Sequence, residues 1–243
     1  MKSIICLFVK NEEENIREWI CQHYLVGFDR IVIFDNMSDD DTKKNLESLM
    51  DIIPIDYHYW DDNQENLNNL TKQGTCYSYA IEIYKEKTEW MCFLDADEFL
   101  IPPENEKVHD LLETFRERKS FCINWQTFGS SHLKESSSRL VLEAFTRRGS
   151  DFSDVNRHVK MFFRPKFSHK VLNPHYIDVR DDTYNIFNQK ILWSIPGVTN
   201  PDSIIHAGWR IHHCIRRRKK HWEKRLVRKQ PKGIEREGDQ VRK

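Results

Sequence analysis

Residues 90–98 have the sequence WMCFLDADE, in which an apolar run ends in three acidic residues. An apolar run such as Trp90–Leu94 is typical of a strand buried on both faces of a parallel sheet. Ligands of such sheets bind beyond the carboxyl ends of the strands, where Asp95 and Asp97 follow. Two carboxylates one residue apart can hold Mg²⁺ or Mn²⁺, because these ions prefer oxygen ligands. The stretch therefore predicts a metal site at a sheet edge, with a solvated acidic loop as the alternative.

The residues before Trp90 alternate between strand-like and helix-like segments. Strands are predicted at Ser3–Val9, Arg30–Phe34 and Ile55–Trp60. Helices are predicted at Glu13–Val26 and Thr71–Lys85. Between them, a further helix is predicted to begin at a cap formed by Ser38 or Asp39 and to end at about Met50. Strands that alternate with helices form parallel sheets covered by helices. We therefore predict an α/β fold with a Rossmann-like first half and a mostly parallel central sheet.

The residues after 100 change in character and predict a more β-rich half. Strands are predicted at Phe121–Phe128, Leu140–Thr146, His158–Arg164 and Ser203–Ile211, and a helix at Ile215–Lys229. The sequence contains no repeat of solenoid length and no Gly/Ser linker. We therefore predict one domain over residues 1–214, with halves 1–100 and 101–214, followed by a basic helix or tail over 215–243.

Composition and charge limit the class of protein. The 243 residues are 39% hydrophobic and 12% aromatic, which excludes a disordered or collagen-like chain. The six cysteines form no CxxC pair, which favours reduced thiols in a cytoplasm-like compartment. The net charge is zero, but residues 206–243 contain 14 Lys and Arg against 4 Asp and Glu. An acidic body with a basic tail predicts an anionic partner at one end of the molecule.

Two further polar segments follow predicted strands. Asp35 and Asn36 come after the second strand, where a carboxylate can accept hydrogen bonds from a ribose or a base edge; ordinary turn chemistry is the alternative. Lys10–Glu12 follows the first strand. Because the carboxyl ends of parallel strands lie at one sheet edge, these segments and Asp95–Glu98 predict the floor of a nucleotide pocket.

The histidines point less clearly to a function. His175 lies in an Asn-Pro-His segment, and His212 and His213 precede the basic tail. A single histidine is more often a structural residue than a ligand. The sequence has no HExxH motif and no paired Cys/His spacing, so zinc is not predicted. Mg²⁺ or Mn²⁺ is the expected ion.

The order of these segments resembles glycosyltransferase family 92 and its bacterial family-two-like relatives. The similar segments, which span residues 3–230, are 8–13 with Trp19, 31–41, 73–76, 90–100, 125–129, 156–160, 164–165, 173–175, 211–213 and 222–225. The resemblance implies a GT-A fold, a nucleotide-binding half over 1–100 and an acceptor half over 101–214. It also implies inverting transfer of a sugar from a nucleotide sugar, a UDP-sugar, to a hydroxyl of a glycan or glycolipid.

The same resemblance assigns residues to the site. Asp95 and Asp97 match the Asp-x-Asp element that binds ribose and metal, and His213 matches a late histidine that completes the metal shell or contacts the diphosphate. The expected metal ligands are thus Asp95, Asp97 and His213, with Mn²⁺ or Mg²⁺ as cofactor. The expected nucleotide-sugar-binding residues are Lys10, Asn11, Glu12, Asp35, Asn36, Gln73, Asp95, His175 and Arg217. The sequence departs from the family where Cys214–Arg218 replaces an aromatic residue followed by Lys-Ser.

An inverting reaction needs a carboxylate that takes the proton of the acceptor hydroxyl. Glu143 interrupts the apolar run of Leu140–Phe145 and is the first candidate for this general base. Asp154 is the alternative, and Asp151 is a further rival.

Two other functions compete with this interpretation. The basic tail suggests a nucleic-acid-binding protein, but an acidic body would repel a polyanion, so no nucleic acid is expected. The acidic cluster suggests a metal-dependent phosphohydrolase, although the His/Asp network of two-metal hydrolases is missing. The tail is instead predicted to attach a cytoplasmic enzyme to the cytoplasmic face of a membrane that carries a lipid-linked acceptor.

Overall fold

An eight-stranded mixed sheet runs through the computed structural model, which describes residues 2–61, 71–131, 140–151 and 153–214. Its strands are β1 (Ser3–Val9), β2 (Arg30–Asp35), β3 (Ile55–Tyr59), β4 (Trp90–Phe93), β5 (Glu98–Ile101), β6 (Ser120–Thr127), β7 (Val159–Phe163) and β12 (Arg210–His213). They are ordered β3-β2-β1-β4-β7-β6-β12-β5. Two small antiparallel pairs, β8 (Lys170–Asn173) with β9 (Tyr176–Asp178) and β10 (Trp193–Ile195) with β11 (Val198–Thr199), lie outside this sheet.

The strands β1 to β4 are parallel and are covered by helices on both faces. The helices are α1 (Ile16–Val26), α2 (Thr42–Glu47), α3 (Lys72–Tyr84), α4 (Val108–Thr114) and α5 (Val141–Ala144). Successive residues of β1 point to opposite faces, so Ile5 packs in the cluster that contains α1, and Cys6 in the cluster that contains α3. This double burial explains the continuous apolar runs, and it confirms the predicted α/β class with its parallel first half.

The remaining strands bring the end of the described chain back to the acidic stretch. β7 lies antiparallel between β4 and β6, while β12 lies between β6 and β5. In the β12–β5 pair, His213 is opposite Glu98. The sheet therefore places residues 115 positions apart in sequence side by side at one edge.

Two predicted strands differ from the structure. Leu140–Thr146 is not a strand, because Val141–Ala144 forms the short helix α5, whose first N–H groups are bound by the carboxylate of Glu18 in α1. The prediction of a strand over Ser203–Ile211 was also wrong in its bounds, since the strand is Arg210–His213 and a 3₁₀ turn spans Pro201–Ser203. The predicted helix at Ile215–Lys229 lies outside the described residues. No helix of the described part of the chain is long and apolar enough to cross a membrane.

Candidate donor site at the sheet edge

The acidic turn leaves β4 and enters β5 at the carboxyl edge of the parallel strands. Trp19 of α1 donates from its indole N–H to the backbone oxygen of Asp95 at 3.0 Å. The backbone N–H of Asp95 donates to Oε2 of Glu98 at 2.7 Å. The backbone N–H of Cys214 donates to the backbone oxygen of Asp97 at 2.8 Å. Contacts from two distant parts of the chain, together with one inside the turn, therefore define its shape.

The carboxylate of Asp95 is held by two partners. Gln73, in the first turn of α3, donates to its Oδ1 at 2.7 Å, and the ammonium of Lys160 donates to its Oδ2 at 2.9 Å. Burial raises the pKa of Asp95, but the charge and the hydrogen bond of Lys160, with a smaller effect of His175, together outweigh burial and leave this pKa below its usual value. Asp95 is thus an ionised carboxylate with one hydrogen bond on each oxygen. Gln73, which was predicted to bind the nucleotide sugar, thus binds the carboxylate of Asp95 in the structure.

Lys160 and Glu98 form a buried ion pair behind Asp95. Both side chains are fully buried, with Nζ of Lys160 3.1 Å from Oε2 of Glu98. Burial raises the pKa of Glu98 to about 7, against the opposing effect of Lys160. Burial lowers the pKa of Lys160, but Asp95 and Glu98 outweigh it and raise that pKa above its usual value. Oε1 of Glu98 has no hydrogen-bond partner among the described residues.

Sequence reasoning missed Lys160 as a site residue. The available signal was its position in the apolar strand Val159–Phe163, where a lysine is expected to be buried and therefore to need a charged partner. The sequence could not indicate which carboxylates those partners are.

Asp97 and His213, both expected as metal ligands from the family resemblance, lie next to each other in the structure, and their role as ligands stays a prediction. Nε2 of His213 lies 3.7 Å from Oδ1 of Asp97, and both residues are more than nine-tenths buried. Two atoms at this separation can bind one ion, because ligands about 2.1 Å from a metal can be at most about 4.2 Å apart. Nδ1 of His213 is buried with no hydrogen-bond partner in the described part of the chain. The pair therefore fits a divalent ion whose remaining ligands would come from a bound donor and from water.

Asp95 is less suited to direct metal binding than the sequence suggested, because the ammonium of Lys160, 2.9 Å from its Oδ2, opposes the approach of a second cation. Within the described ranges, no group of three or more His, Cys, Asp or Glu side chains is arranged to hold a metal ion. The protein ligands that the geometry offers are Asp97 and His213.

Three histidines surround the indole of Trp125. The ring centroids of His213, His158 and His175 lie 4.0, 4.8 and 4.9 Å from that of Trp125. Nδ1 of His175 is 3.0 Å from the backbone oxygen of Val159. Burial, aided by Lys160, lowers the pKa of His175 to about 3, so its ring is neutral at pH 7. The structure thus places the predicted residue His175 in the same aromatic cluster as His213.

The polar residues Asp35 and Asn36, at the end of β2, are held by hydrogen bonds within their turn and to the end of β3. Asp35 is buried, and its two oxygens accept hydrogen bonds from the backbone of Ser38 and the hydroxyl of Tyr57, each at 2.9 Å. Asn36 donates from its side chain to the backbone oxygen of Trp60 at 3.3 Å. The contact with Ser38 is the turn chemistry that was the alternative interpretation, whereas the contacts with Tyr57 and Trp60 bind this segment to β3 and the residue after it. The nucleotide-binding role of both residues stays a prediction.

Residues Lys10–Glu12 lie beside that segment, as expected for neighbouring parallel strands. Asn11 has a positive φ of 55° and accepts a hydrogen bond on Oδ1 from the backbone of Asp39. The backbone N–H of Glu12 donates to the hydroxyl of Thr42 at 2.8 Å. The first two strand ends therefore form one polar surface at the edge that also bears Asp95 and Asp97. Arg217 lies outside the described residues.

The three candidates for the general base lie in different surroundings. Glu143 is exposed on the short helix α5 and does not lie on the strand that was predicted for this segment. Asp154, whose side chain is 89% exposed, begins a 3₁₀ turn that ends at Arg157. A hydrogen bond with His206 lowers the pKa of Asp151, which also pairs with Arg148.

A cleft of about 470 Å³ contains two of these candidates. It is lined by Asp151, Asp154, Arg157, Pro201, Asp202, Ile204 and His206. His206 joins this cleft to the aromatic cluster, since its Nε2 lies 2.7 Å from the backbone oxygen of Trp125. Glu143 is not among the lining residues.

Comparison with solved structures gives distant likenesses. S. aureus TarS, residues 1–349, is 15% identical with a TM-score of 0.42, and covers 69% of this chain and 48% of its own. Glucosyl-3-phosphoglycerate synthase from Mycobacterium tuberculosis, in complex with Mn²⁺, UDP and glucosyl-3-phosphoglycerate, is 14% identical with a TM-score of 0.37. That comparison covers 68% of this chain and 57% of the synthase.

Sequence comparison is more specific. A glycosyltransferase family 92 protein of Oryza sativa subsp. japonica is 27% identical over 186 residues, which are 72% of this chain and 28% of the relative. One from Ricinus communis is 26% identical over 149 residues, which are 59% of this chain and 26% of the relative. The chain thus spans about a quarter of the length of these relatives.

The model of glycosyltransferase family 92 matches residues 2–190, which is more than half of the chain. The sheet topology agrees with the predicted GT-A class of fold, and the chain belongs to glycosyltransferase family 92.

Proposed function

We propose that this chain is a metal-dependent, inverting glycosyltransferase that moves a sugar from a UDP-sugar to a hydroxyl of a glycan or glycolipid. The observation that carries the proposal is the meeting of Asp97 and His213, 3.7 Å apart, at the sheet edge beside the held carboxylate of Asp95. Family membership supports the transfer of a sugar. The position beyond the carboxyl ends of the parallel strands supports a nucleotide donor.

Asp97 and His213 would hold Mn²⁺ or Mg²⁺. When bound, such an ion stabilises the negative charge that develops on the leaving diphosphate. The neighbouring buried Nδ1 of His213 is a free polar atom in the described part of the chain, and it would hydrogen-bond to water or to the donor. Asp95 would contact the ribose, because each of its oxygens retains a lone pair beyond those used by Gln73 and Lys160.

The remaining predicted donor contacts surround this centre. Lys10–Glu12, Asp35 and Asn36 would line the nucleoside side of the site, and His175 the side next to Trp125. Arg217 would place a positive charge near the diphosphate. With these contacts, the residues around the sheet edge would bind the nucleoside and the diphosphate of the donor.

Asp154 is the carboxylate whose surroundings best suit a general base. It lines the cleft that His206 connects to the aromatic cluster, and its side chain is largely exposed and so accessible to an acceptor hydroxyl. Asp151 lines the same cleft, but a lowered pKa makes a carboxylate a weaker base. Glu143 stays a candidate from the sequence, on a helix outside that lining.

We also propose a reducing compartment and membrane contact. All six cysteines are free thiols, which agrees with a cytoplasmic location. The basic residues of 215–243 would bind an anionic membrane surface on its cytoplasmic face, where a lipid-linked acceptor lies.

Calorimetric titration with UDP, with and without Mn²⁺, tests the donor site directly. The wild-type chain is expected to bind UDP in a Mn²⁺-dependent manner. Asp97→Asn is expected to abolish this dependence, because the lost charge faces the ion, and His213→Ala to weaken it less, because water can replace a neutral ligand. Asp51→Asn, at an exposed position, is the matched control.

Two results would count against the proposal. Equal UDP affinity of wild type and Asp97→Asn in Mn²⁺ would remove the metal site. Release of free sugar and phosphate from a nucleotide sugar, with no transfer to any acceptor, would favour the phosphohydrolase.

A further inference from the structure

Lys160 is a fully buried cation in the second half of the chain, and its two anionic partners belong to the first half. Its Nζ lies 2.9 Å from Oδ2 of Asp95 and 3.1 Å from Oε2 of Glu98. Oε2 of Glu98 also accepts the backbone N–H of Asp95. The ammonium therefore binds both ends of the acidic turn at once, and fixes the turn's side chains as well as its backbone.

The position of Lys160 in the sheet makes this contact rigid. It lies on β7, which pairs with β4 through Cys92 opposite Phe162 and Met91 opposite Phe163. The strand that carries the cation is thus hydrogen-bonded to the strand from which the acidic turn emerges. A long, flexible lysine side chain is here confined by complete burial, so its ammonium has little freedom to leave Asp95.

The charge of Lys160 also changes what the turn presents to a ligand. Asp95, Asp97 and Glu98 place three carboxyl groups within four residues, and an anionic diphosphate would be repelled by such a cluster. The ammonium of Lys160 lies within 3.1 Å of both Asp95 and Glu98 and offsets one negative charge of this pair, while Asp97 lies next to His213. The ammonium therefore lowers the negative charge that an anionic donor meets at the turn.

We propose that Lys160 is the positioning residue of the donor site. Its ammonium holds the Asp95 carboxylate in the orientation that receives the donor, and it offsets one negative charge of the turn that the anionic donor approaches. This inference rests on the proposed function, since it assigns Lys160 a role in binding the same nucleotide and metal.

The test must separate positioning from a general need for charge balance in the core. Lys160→Met removes the ammonium while keeping an unbranched apolar stem, and it leaves the buried Glu98 and the half-buried Asp95 without this cation, which lowers stability. Lys160→Met/Glu98→Gln removes one buried charge of each sign and keeps a side-chain oxygen that can accept the N–H of Asp95. Lys190→Met, at an exposed lysine that pairs with Asp182, is the matched control.

Circular dichroism and thermal unfolding measure the fold, and calorimetry with UDP and Mn²⁺ measures the site. The double variant is expected to regain stability that Lys160→Met loses, while its affinity for UDP in Mn²⁺ stays about tenfold to a hundredfold below wild type, the range for losing a group that orients a metal-site ligand. Lys190→Met is expected to match wild type in both measurements.

Each contrary outcome has a distinct meaning. Wild-type affinity in a folded double variant would overturn the role of Lys160 and leave the proposed function intact. A double variant without the native spectrum would show that Lys160 serves the fold, which also overturns the inference. A wild-type chain that binds no UDP in Mn²⁺ would instead refute the proposed function.

Discussion

The buried ring of His23 is expected to make the stability of this protein depend on pH. Its ring is completely buried between α1 and β5, with Nδ1 2.8 Å from the backbone oxygen of Trp19 and Nε2 3.1 Å from the backbone nitrogen of Leu100. Since Nε2 faces an N–H donor, it must accept, and the proton is on Nδ1. Burial lowers the pKa of His23 from 6.5 to about 3, despite the carbonyl of Trp19, so the folded protein keeps the ring neutral.

The size of the effect follows from the two pKa values. In the unfolded chain His23 takes up a proton as the pH falls below 6.5, whereas in the folded chain it does so near 3. The contribution of the neutral ring to stability is therefore complete above pH 6.5 and is lost as the pH falls towards 3. By linkage, the free energy of unfolding should decrease by about 2 kcal/mol from this residue alone between about pH 7.5 and about pH 5.

Urea unfolding at those two pH values measures this contribution. Other groups also titrate over the range, so the quantity of interest is the difference between wild type and His23→Gln, which cannot gain the proton. The variant is expected to be less stable at the higher pH, where its packing is poorer, yet to lose about 2 kcal/mol less than wild type on acidification. His109→Gln, at an exposed histidine beside Asp29, is the control for replacing a histidine outside the core. Parallel losses in wild type and His23→Gln would refute the reasoning.

Three further predictions concern the second half of the chain. Glu18→Gln should lower the free energy of unfolding by about 1–2 kcal/mol, because it weakens the carboxylate's hydrogen bonds to the first N–H groups of α5; unchanged urea curves would contradict this. Asp154→Asn or Glu143→Gln should keep UDP binding but lower sugar transfer by about 10²–10⁴-fold, whichever is the base, and near-normal transfer by both would exclude them. Removal of residues 216–243 should abolish binding to anionic liposomes in a sedimentation assay, and unchanged binding would exclude membrane attachment by the tail.

The parallel half of the fold could be predicted because burial on both faces gives each strand an apolar run in its own sequence. β1, β2 and β4 each lie between two layers of helices, so the residues within them are apolar apart from Ser3, Arg30 and Asp35 at strand ends. Such a run can be recognised in the sequence without knowing which strands are its neighbours. Leu140–Phe145 shows the limit of the same rule. Its short apolar run is compatible with a buried strand or a helix, and the structure has a helix because the carboxylate of Glu18, 123 residues earlier, binds the N–H of Val141.

The acidic turn shows why a motif could be found in the sequence while its division of roles could not. Asp95 and Asp97 have the same side chain, and both follow β4, so nothing in their immediate sequence distinguishes them. The difference arises from residues far along the chain, since Lys160 comes within 2.9 Å of Asp95 while His213 faces Asp97. Those contacts exist because β7 pairs with β4, and β12 pairs with β5. The chemistry of each carboxylate is therefore a property of the strand order, and a change that weakens either pairing should alter the site even where every residue of the turn is kept.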